Sequence, residues 1–257
     1  MLRVERNGAF AIWTMDRPEA KNALNLETLD MLTFAAEAAA KDRTLRAIVL
    51  TGKGHAFAAG GDLRELREAH TAEDAAHFSD RGAELCEKLE RLDVPVIAAI
   101  PGVCFGGGAE LAVACDLRVC DMRAKISFKQ VRLGVTTAWG TVPRLLALVG
   151  HGLTARLLYT GHEISGTEAK ITGLADEVTA NGTSITTAIA WAYDIAEGSP
   201  RAVSELKGLL RSSSRASDTL RAEERSRFVG TWTGPDHVEA MEAYFARRAP
   251  VWQEPKS

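Results

Sequence analysis

Residues 102–116 read GVCFGGGAELAVACD, in which three consecutive glycines precede one glutamate and an apolar run. The apolar run favours a buried helix, and the segment VPVIAAI at residues 94–100 is typical of a buried strand. The first N–H groups of a helix have no partner within it, and the helix dipole favours negative charge there. Because glycine lets a ligand approach such groups closely, the stretch predicts a strand-to-helix turn that meets a ligand oxygen beside Glu110.

A second segment has the same order of elements. Residues 48–66, IVLTGKGHAFAAGGDLREL, read as a strand, a loop, and then Gly60, Gly61 and Asp62 at the start of a polar helix. Either segment alone is equally typical of an ordinary tight turn. Neither segment fits the pattern of a phosphate-binding loop or the GxGxxG pattern. Together they predict that N–H groups from two turns converge on one oxygen and form an oxyanion hole.

The rest of the chain predicts an α/β domain followed by helices. A hairpin is expected around Asn7 and Gly8, a helix over 26–41, and buried strands in RAIVLTG, VPVIAAI and DLRVC. The serines of RSSSRAS at 211–217 suggest a loop. We expect an α/β core over 1–190 and a helical region over 191–257. The helices predicted from residue 139 onward cover 139–158, 166–172, 184–197, 200–211, 216–229 and 236–248.

Composition excludes several functional classes. The chain has 257 residues and a net charge of −3, with no basic stripe of the kind that binds nucleic acid. No apolar segment is long enough to span a bilayer, and the N-terminus lacks the apolar core of a signal peptide. The four cysteines and six histidines show no metal-ligand spacing. These features predict a cytoplasmic protein with reduced core cysteines, no metal site and no membrane or nucleic-acid partner.

Five segments, in order along the chain, resemble signature motifs of the enoyl-CoA hydratase/isomerase (crotonase) superfamily. The first signature resembles FAAGGDL at 57–63, and the second resembles GVCFGGGAELAVACDLRV at 102–119. Three further motifs of the superfamily are similar to DRPEAKNAL at 16–24, ISGTEAKITGLADEV at 164–178 and AYFARRAPVW at 243–252.

The resemblance implies a crotonase fold, which is a spiral of ββα units with a helical C-terminal trimerisation region. It also implies a homotrimer or a dimer of trimers. The implied substrate is an acyl-CoA thioester whose carbonyl oxygen accepts hydrogen bonds from the N–H groups of Gly61 and Gly107. CoA would enter as part of the substrate, with no separate cofactor. The implied substrate- and CoA-binding residues are Gly61, Asp62, Leu63, Arg64, Gly107, Tyr244 and Arg247.

Glu110 and Gln130 decide which reaction the resemblance implies. Glu110 matches a carboxylate that transfers a proton or positions water. Hydratases of the family carry a second glutamate in a segment that resembles FKQVRLGV at 128–135, where this chain has Gln130. Glutamine exchanges no proton near neutral pH, so hydration by two paired carboxylates loses one partner.

Several reactions therefore remain open. The segment that contains Trp139, which we interpret as pocket wall or core, is similar to that of ethylmalonyl-CoA decarboxylase-like members. A malonyl-type substrate brings its own carboxylate, which a second glutamate about 5 Å away would oppose by about 3 kcal/mol, and neutral Gln130 removes this repulsion. The sequence predicts a hydratase-like lyase that acts through a thioester enolate. The alternatives are an alkylmalonyl-CoA decarboxylase, an enoyl-CoA isomerase, or a non-catalytic acyl-CoA-binding pseudoenzyme.

Overall fold

The structure is a computed structural model that describes residues 1–67, 71–213 and 218–251, so that the last residue of the 243–252 motif lies outside it. The strands are β1 (Leu2–Asn7), β2 (Phe10–Met15), β3 (Ala47–Gly52), β4 (Ala56–Ala58), β5 (Val96–Ile100), β6 (Val103–Phe105), β7 (Leu117–Asp121), β8 (Lys125–Ser127), β9 (Ile164–Ser165) and β10 (Glu177–Thr179). The α-helices are α1 (Leu26–Lys41), α2 (Leu63–Leu66), α3 (Ala72–Arg91), α4 (Gly107–Ala114), α5 (Thr141–Thr160), α6 (Gly166–Thr172), α7 (Ser184–Glu197), α8 (Pro200–Ser213), α9 (Asp218–Trp232) and α10 (Pro235–Ala246). Two 3-10 helices cover Pro18–Ala20 and Lys129–Leu133.

Two sheets form the frame of the molecule. The larger has the order β1-β2-β3-β5-β7-β10, and the smaller has the order β4-β6-β8-β9. Among the strands in the described residues, the β1/β2 and β8/β9 pairs are antiparallel and the other pairs are parallel. The chain alternates between the sheets, since β3, β5 and β7 lie in the larger one and β4, β6 and β8 in the smaller one. The alternation produces the repeated ββα units that the resemblance implies.

The central strands are buried on both faces, which explains their continuous apolar sequence. Every residue of β3 and β5 is buried. Helix α7 covers one face of the larger sheet through Ala188 and Ala192. On the other face, α1 and α3 contribute Leu29, Leu32 and further apolar side chains to the main core.

Most of the predicted elements are confirmed. The β1/β2 hairpin turns at Gly8, and α1 covers the predicted 26–41. The four cysteines are free and buried, and burial raises the pKa of the Cys115 and Cys120 thiols to about 12.

Several helix boundaries from residue 139 onward differ from the prediction. Helix α5 covers Thr141–Thr160 and not 139–158, and α10 covers Pro235–Ala246 and not 236–248. The predicted loop at 211–217 is wrong for residues 211–213, because α8 continues to Ser213; residues 214–217 lie outside the described part of the chain. The predicted helix over 216–229 ends three residues too early, since α9 reaches Trp232. Helix α7 crosses residue 190 without a break. Across the described ranges, no helix has the length and apolarity needed to cross a membrane.

Candidate active site

The first glycine turn follows β4 and is held by side-chain hydrogen bonds. The Asn22 amide donates to the carbonyl oxygen of Ala56 at 2.7 Å, and Arg17 pairs with Asp62 at 2.9 Å. Gly60 has φ +105°, a conformation that favours glycine. The carbonyl of Gly60 and the N–H of Asp62 both bond to Leu24, so the N–H of the intervening Gly61 points to the opposite side.

The second glycine turn follows β6 and is held by close packing. Gly106, with φ +51°, donates its N–H to the carbonyl of Ser127 at 2.9 Å. A Cβ added to Gly107 would lie 2.7 Å from the Trp139 ring, and one added to Gly108 would lie 2.3 Å from the Ala58 carbonyl oxygen. A side chain at position 107 or 108 would clash with these groups, so α4 can begin at Gly107 because both residues are glycine.

The two turns touch each other and face one cavity. A Cβ added to Gly60 would lie 3.7 Å from the nitrogen of Gly107. Gly61 and Gly107 both line a cavity of about 450 Å³, as does Glu110. Within the described residues, neither the N–H of Gly61 nor that of Gly107 donates a hydrogen bond to another protein group. Both glycines therefore line the cavity with N–H groups that no described protein group uses.

Glu110 lies in the first turn of α4, where every residue is buried. Its Oε1 accepts hydrogen bonds from the N–H groups of Ala138 (3.0 Å) and Trp139 (3.2 Å) and from the Thr141 hydroxyl (2.7 Å). Its Oε2 accepts one from the Gln130 amide at 2.8 Å. Burial raises the pKa of Glu110 above its usual value, and these donors, Thr141 most strongly, oppose the increase. The buried carboxyl group is therefore held in one orientation at the cavity wall.

Gln130 lies in the 3-10 helix and is buried. Because Glu110 offers only acceptors when ionised, Gln130 must present its NH₂ group to it. The Oε1 atom of Gln130 is buried and accepts no hydrogen bond from the described residues. Gln130 thus orients Glu110 and leaves one acceptor unused next to it.

The remaining residues expected to bind substrate divide into two groups. Leu63 and Tyr244 line the cavity, and Tyr244 is half exposed at its edge. The lining residues do not include the other three. Asp62 caps α2 and pairs with Arg17, Arg64 is exposed on α2, and Arg247 ends α10 with φ +54°.

Sequence reasoning missed much of the cavity wall. Trp139 was expected in wall or core and is buried at the cavity surface. Phe105 of the wall ends β6, the other missed aromatic side chains come from α3 and α9, and Arg248, just beyond α10, lies at the rim where Arg247 was expected. The missed lining residues include Phe78, Phe105, Phe228, Trp232, His237, Lys129, Arg132 and Arg248.

A second buried carboxylate near the site was also missed. Glu224 on α9 accepts hydrogen bonds from the hydroxyl of Thr137 and from the N–H of Thr141. The family resemblance places a second acid in the segment around Gln130, whereas Glu224 is 87 residues beyond Thr137. One feature of the sequence could have indicated that Glu224 is buried. Glu224 precedes the buried Phe228 and Trp232 by one and two helical turns, so the three residues share one face of the helix.

Comparison with known proteins agrees with this geometry. A sequence model of the family described as enoyl-CoA hydratase/isomerase matches residues 5–255. The chain belongs to the enoyl-CoA hydratase/isomerase family. It is 34% identical to the short-chain-enoyl-CoA hydratase of Clostridium acetobutylicum, over 95% of this chain and 94% of that protein. It is 33% identical to the 2,3-dehydroadipyl-CoA hydratase of Escherichia coli K12, over 97% of each chain.

A solved structure of an enoyl-CoA hydratase/isomerase from Mycobacterium paratuberculosis is similar along nearly the whole chain. The two have a TM-score of 0.88 and 28% identity, covering 94% of this chain and 97% of that one. The predicted crotonase fold is thereby confirmed for this member of the enoyl-CoA hydratase/isomerase family.

Proposed function

We propose that this chain is an acyl-CoA enzyme that works through a thioester enolate. The observation that carries the proposal is the meeting of Gly61, Gly107 and Glu110 around one cavity. The N–H groups of the two glycines would receive the thioester oxygen as it becomes negative. Such donors act strongly in a dry site, where removing one typically costs about 2.7–4 kcal/mol of barrier.

Glu110 is the proposed proton-transfer group. Its buried carboxyl lines the same cavity, and burial raises its pKa towards the range useful for general acid–base catalysis. The bonds from Ala138, Trp139 and Thr141 would keep it oriented while the substrate reacts. In this role Glu110 exchanges a proton with a carbon atom next to the thioester carbonyl.

Addition of water to a 2-enoyl-CoA is the leading reaction. Two relatives that are 33–34% identical are named as hydratases, which supports the same reaction type here. The unused Oε1 of Gln130 is an acceptor for one hydrogen of the attacking water. Glu110 would then act as the single acid–base group that serves this water.

Proton transfer without added water is a second candidate, and one observation favours it. Among the described residues, Glu110 is the only carboxylate that lines the cavity. Shifting a double bond requires one group that takes a proton from one carbon and returns it to another. Decarboxylation of an alkylmalonyl-CoA requires only an oxyanion hole and an acid that reprotonates the enolate.

Three substrates assayed in parallel test these alternatives. We expect turnover of crotonyl-CoA under the leading proposal, of a 3-enoyl-CoA for an isomerase, and of ethylmalonyl-CoA for a decarboxylase. Glu110→Gln should lower kcat by about 10²–10⁴, whereas Glu223→Gln, an exposed control on α9, should leave it unchanged. Tight binding of all three esters without turnover would contradict the proposal and support a pseudoenzyme.

CoA is proposed to enter as part of the substrate, and the chain to assemble as a trimer or a dimer of trimers. Exposed leucines on α8, Leu206 and Leu209, support a subunit interface in the C-terminal region. Light scattering on the purified protein measures the assembly directly. A monomeric mass at micromolar concentration would contradict this part of the proposal. The cytoplasmic location stays a prediction.

A further inference from the structure

Glu224 is a buried acid that the proposed reaction does not yet use. Only 5% of its surface is exposed. Its Oε1 accepts hydrogen bonds from the Thr137 hydroxyl and from the N–H groups of Thr141 (3.1 Å) and Val142 (3.4 Å). Its Oε2 is buried and has no hydrogen-bond partner among the described residues. Oε1 of Glu224 is therefore stabilised by three hydrogen-bond donors, whereas Oε2 has none among the described residues.

Thr141 connects Glu224 to the active-site acid. Its backbone N–H donates to Glu224, and its hydroxyl donates to Oε1 of Glu110 at 2.7 Å. Thr141 is the first residue of α5, so both carboxyl groups lie at the positive end of that helix. Two buried acids in this arrangement oppose each other's charge, and their protonation is coupled.

The nearby cations, Arg144 and Arg221, pair with a third carboxylate, Glu90. Arg144 donates to Glu90 at 2.6 Å and to the carbonyl of Trp139, and Arg221 also bonds to Glu90, at 3.0 Å. The positive charges thus neutralise Glu90 more directly than Glu224. The charged and titratable groups packed around the two acids include Cys86 and Glu90 on α3, Arg144 on α5 and Arg221 on α9. The cavity that Glu110 lines is also lined by Lys129, Arg132, His237 and Arg248.

We propose that Glu224 is a positioning residue that controls the charge of Glu110, because the two buried acids carry one negative charge between them. Glu224 holds a proton on Oε2, where no donor competes for it, while Glu110 is a carboxylate. The role rests on the proposed function, in which Glu110 transfers the proton. Burial, and then the charge of Glu110, raise the pKa of Glu224 to about 7, in agreement with this arrangement.

The residues around Glu110 agree with this role of Glu224. Gln130 occupies the position expected for a second acid, and its side chain does not titrate. Glu224 reaches the same acid from the opposite side through Thr141, although it does not line the cavity. It therefore acts on the substrate only through Glu110.

The pH profile of kcat/KM tests the role. Because Glu224 loses its proton only after Glu110 has ionised, the wild-type profile should have a second inflection at higher pH than the limb controlled by Glu110. Glu224→Gln keeps the accepting oxygen and cannot ionise, so it should lose this second inflection and keep the Glu110 limb. The control Glu223→Gln should retain both features. A folded Glu224→Gln that retains the second inflection, even if less stable, would overturn the proposal.

A second measurement needs no substrate and no Glu224 variant. Carbon-13 NMR of protein with labelled glutamate carboxyl groups, compared with Glu110→Gln, follows Glu224 directly. We expect its titration to move to lower pH by about one unit when Glu110 becomes neutral. An unchanged titration would overturn the coupling. Because this readout is independent of turnover, failure of the proposed function leaves it intact, and it decides the question if Glu224→Gln does not fold.

Discussion

The two glycine turns have the same order of residues but are held in place by different forces. The turn at 60–62 leads into α2, which has only four residues, none of them buried. The turn at 106–108 leads into α4, in which all eight residues are buried. Side-chain hydrogen bonds of Asn22 and the Arg17–Asp62 ion pair fix the first turn. Contacts with Trp139 and the Ala58 backbone fix the second.

The difference indicates which half of the proposed oxyanion hole is more rigid. A helix start packed against backbone and an indole ring has no room to move, because protein interiors are close-packed. The first turn depends in part on the Arg17–Asp62 ion pair, which is partly exposed, and such a contact adjusts at a smaller free-energy cost. We therefore expect Gly107 to present a fixed donor and Gly61 to be the donor that adapts to the bound thioester.

The largest effect is expected from removing the rigid donor. Gly107→Pro eliminates the N–H, and proline is tolerated at the first position of a helix. Gly107→Ala is its matched control, since both variants place a Cβ about 2.7 Å from the Trp139 ring but only proline lacks the donor. We expect kcat for Gly107→Pro to be about 10²–10³ below that of Gly107→Ala. Parallel steady-state assays on the substrate that is turned over measure the ratio.

Equal activity in the two variants would contradict the proposed oxyanion hole. In that case the Cβ, and not the missing N–H, would account for the whole loss. Circular dichroism and light scattering on both proteins show whether either has changed its fold or assembly.

Much of this architecture was accessible from the sequence because local patterns determine it. The all-buried strands β3 and β5 appear as continuous apolar runs, and the glycine triplet indicates the start of α4. Proximity of Gly61 and Gly107 in the fold was inferred from two similar turns. The cavity that both glycines line agrees with this inference.

Other parts of the site were inaccessible because they depend on long-range packing. Glu224 and Trp232 reach the site from α9, whose position against α3 and α5 has no local signature. A residue adjacent in sequence also replaced an expected one, since Arg248 and not Arg247 lines the cavity. The chain leaves α10 in a left-handed conformation at Arg247, which a helical repeat does not predict.

A smaller effect, on stability, is expected where α4 touches β4. Gly108→Ala would place a Cβ 2.3 Å from the Ala58 carbonyl oxygen, which is backbone of a strand and unable to move aside. Gly61→Ala would instead meet the end of the Leu66 side chain at 2.7 Å, which has room to rotate. We expect Gly108→Ala to lower the free energy of unfolding by about 1–3 kcal/mol, and Gly61→Ala by less. Urea unfolding of the two variants measures the difference, and the reverse order would show that the second turn is not the rigid one.

The smallest effect is expected from the ion pair beside the first turn. Asp62 caps α2 by accepting from the N–H of Arg64 at 3.2 Å, and it pairs with Arg17 at 2.9 Å. Asp62→Ala removes both contacts and should lower the free energy of unfolding by about 1 kcal/mol. Asp62→Asn retains a capping oxygen and should cost less. Because the loosened turn carries Gly61, kcat should fall by a small factor in Asp62→Ala and recover in Asp62→Asn. Wild-type stability and kcat in Asp62→Ala would mean that the bonds of Leu24 alone hold the first turn, and the contrast between the two turns would disappear.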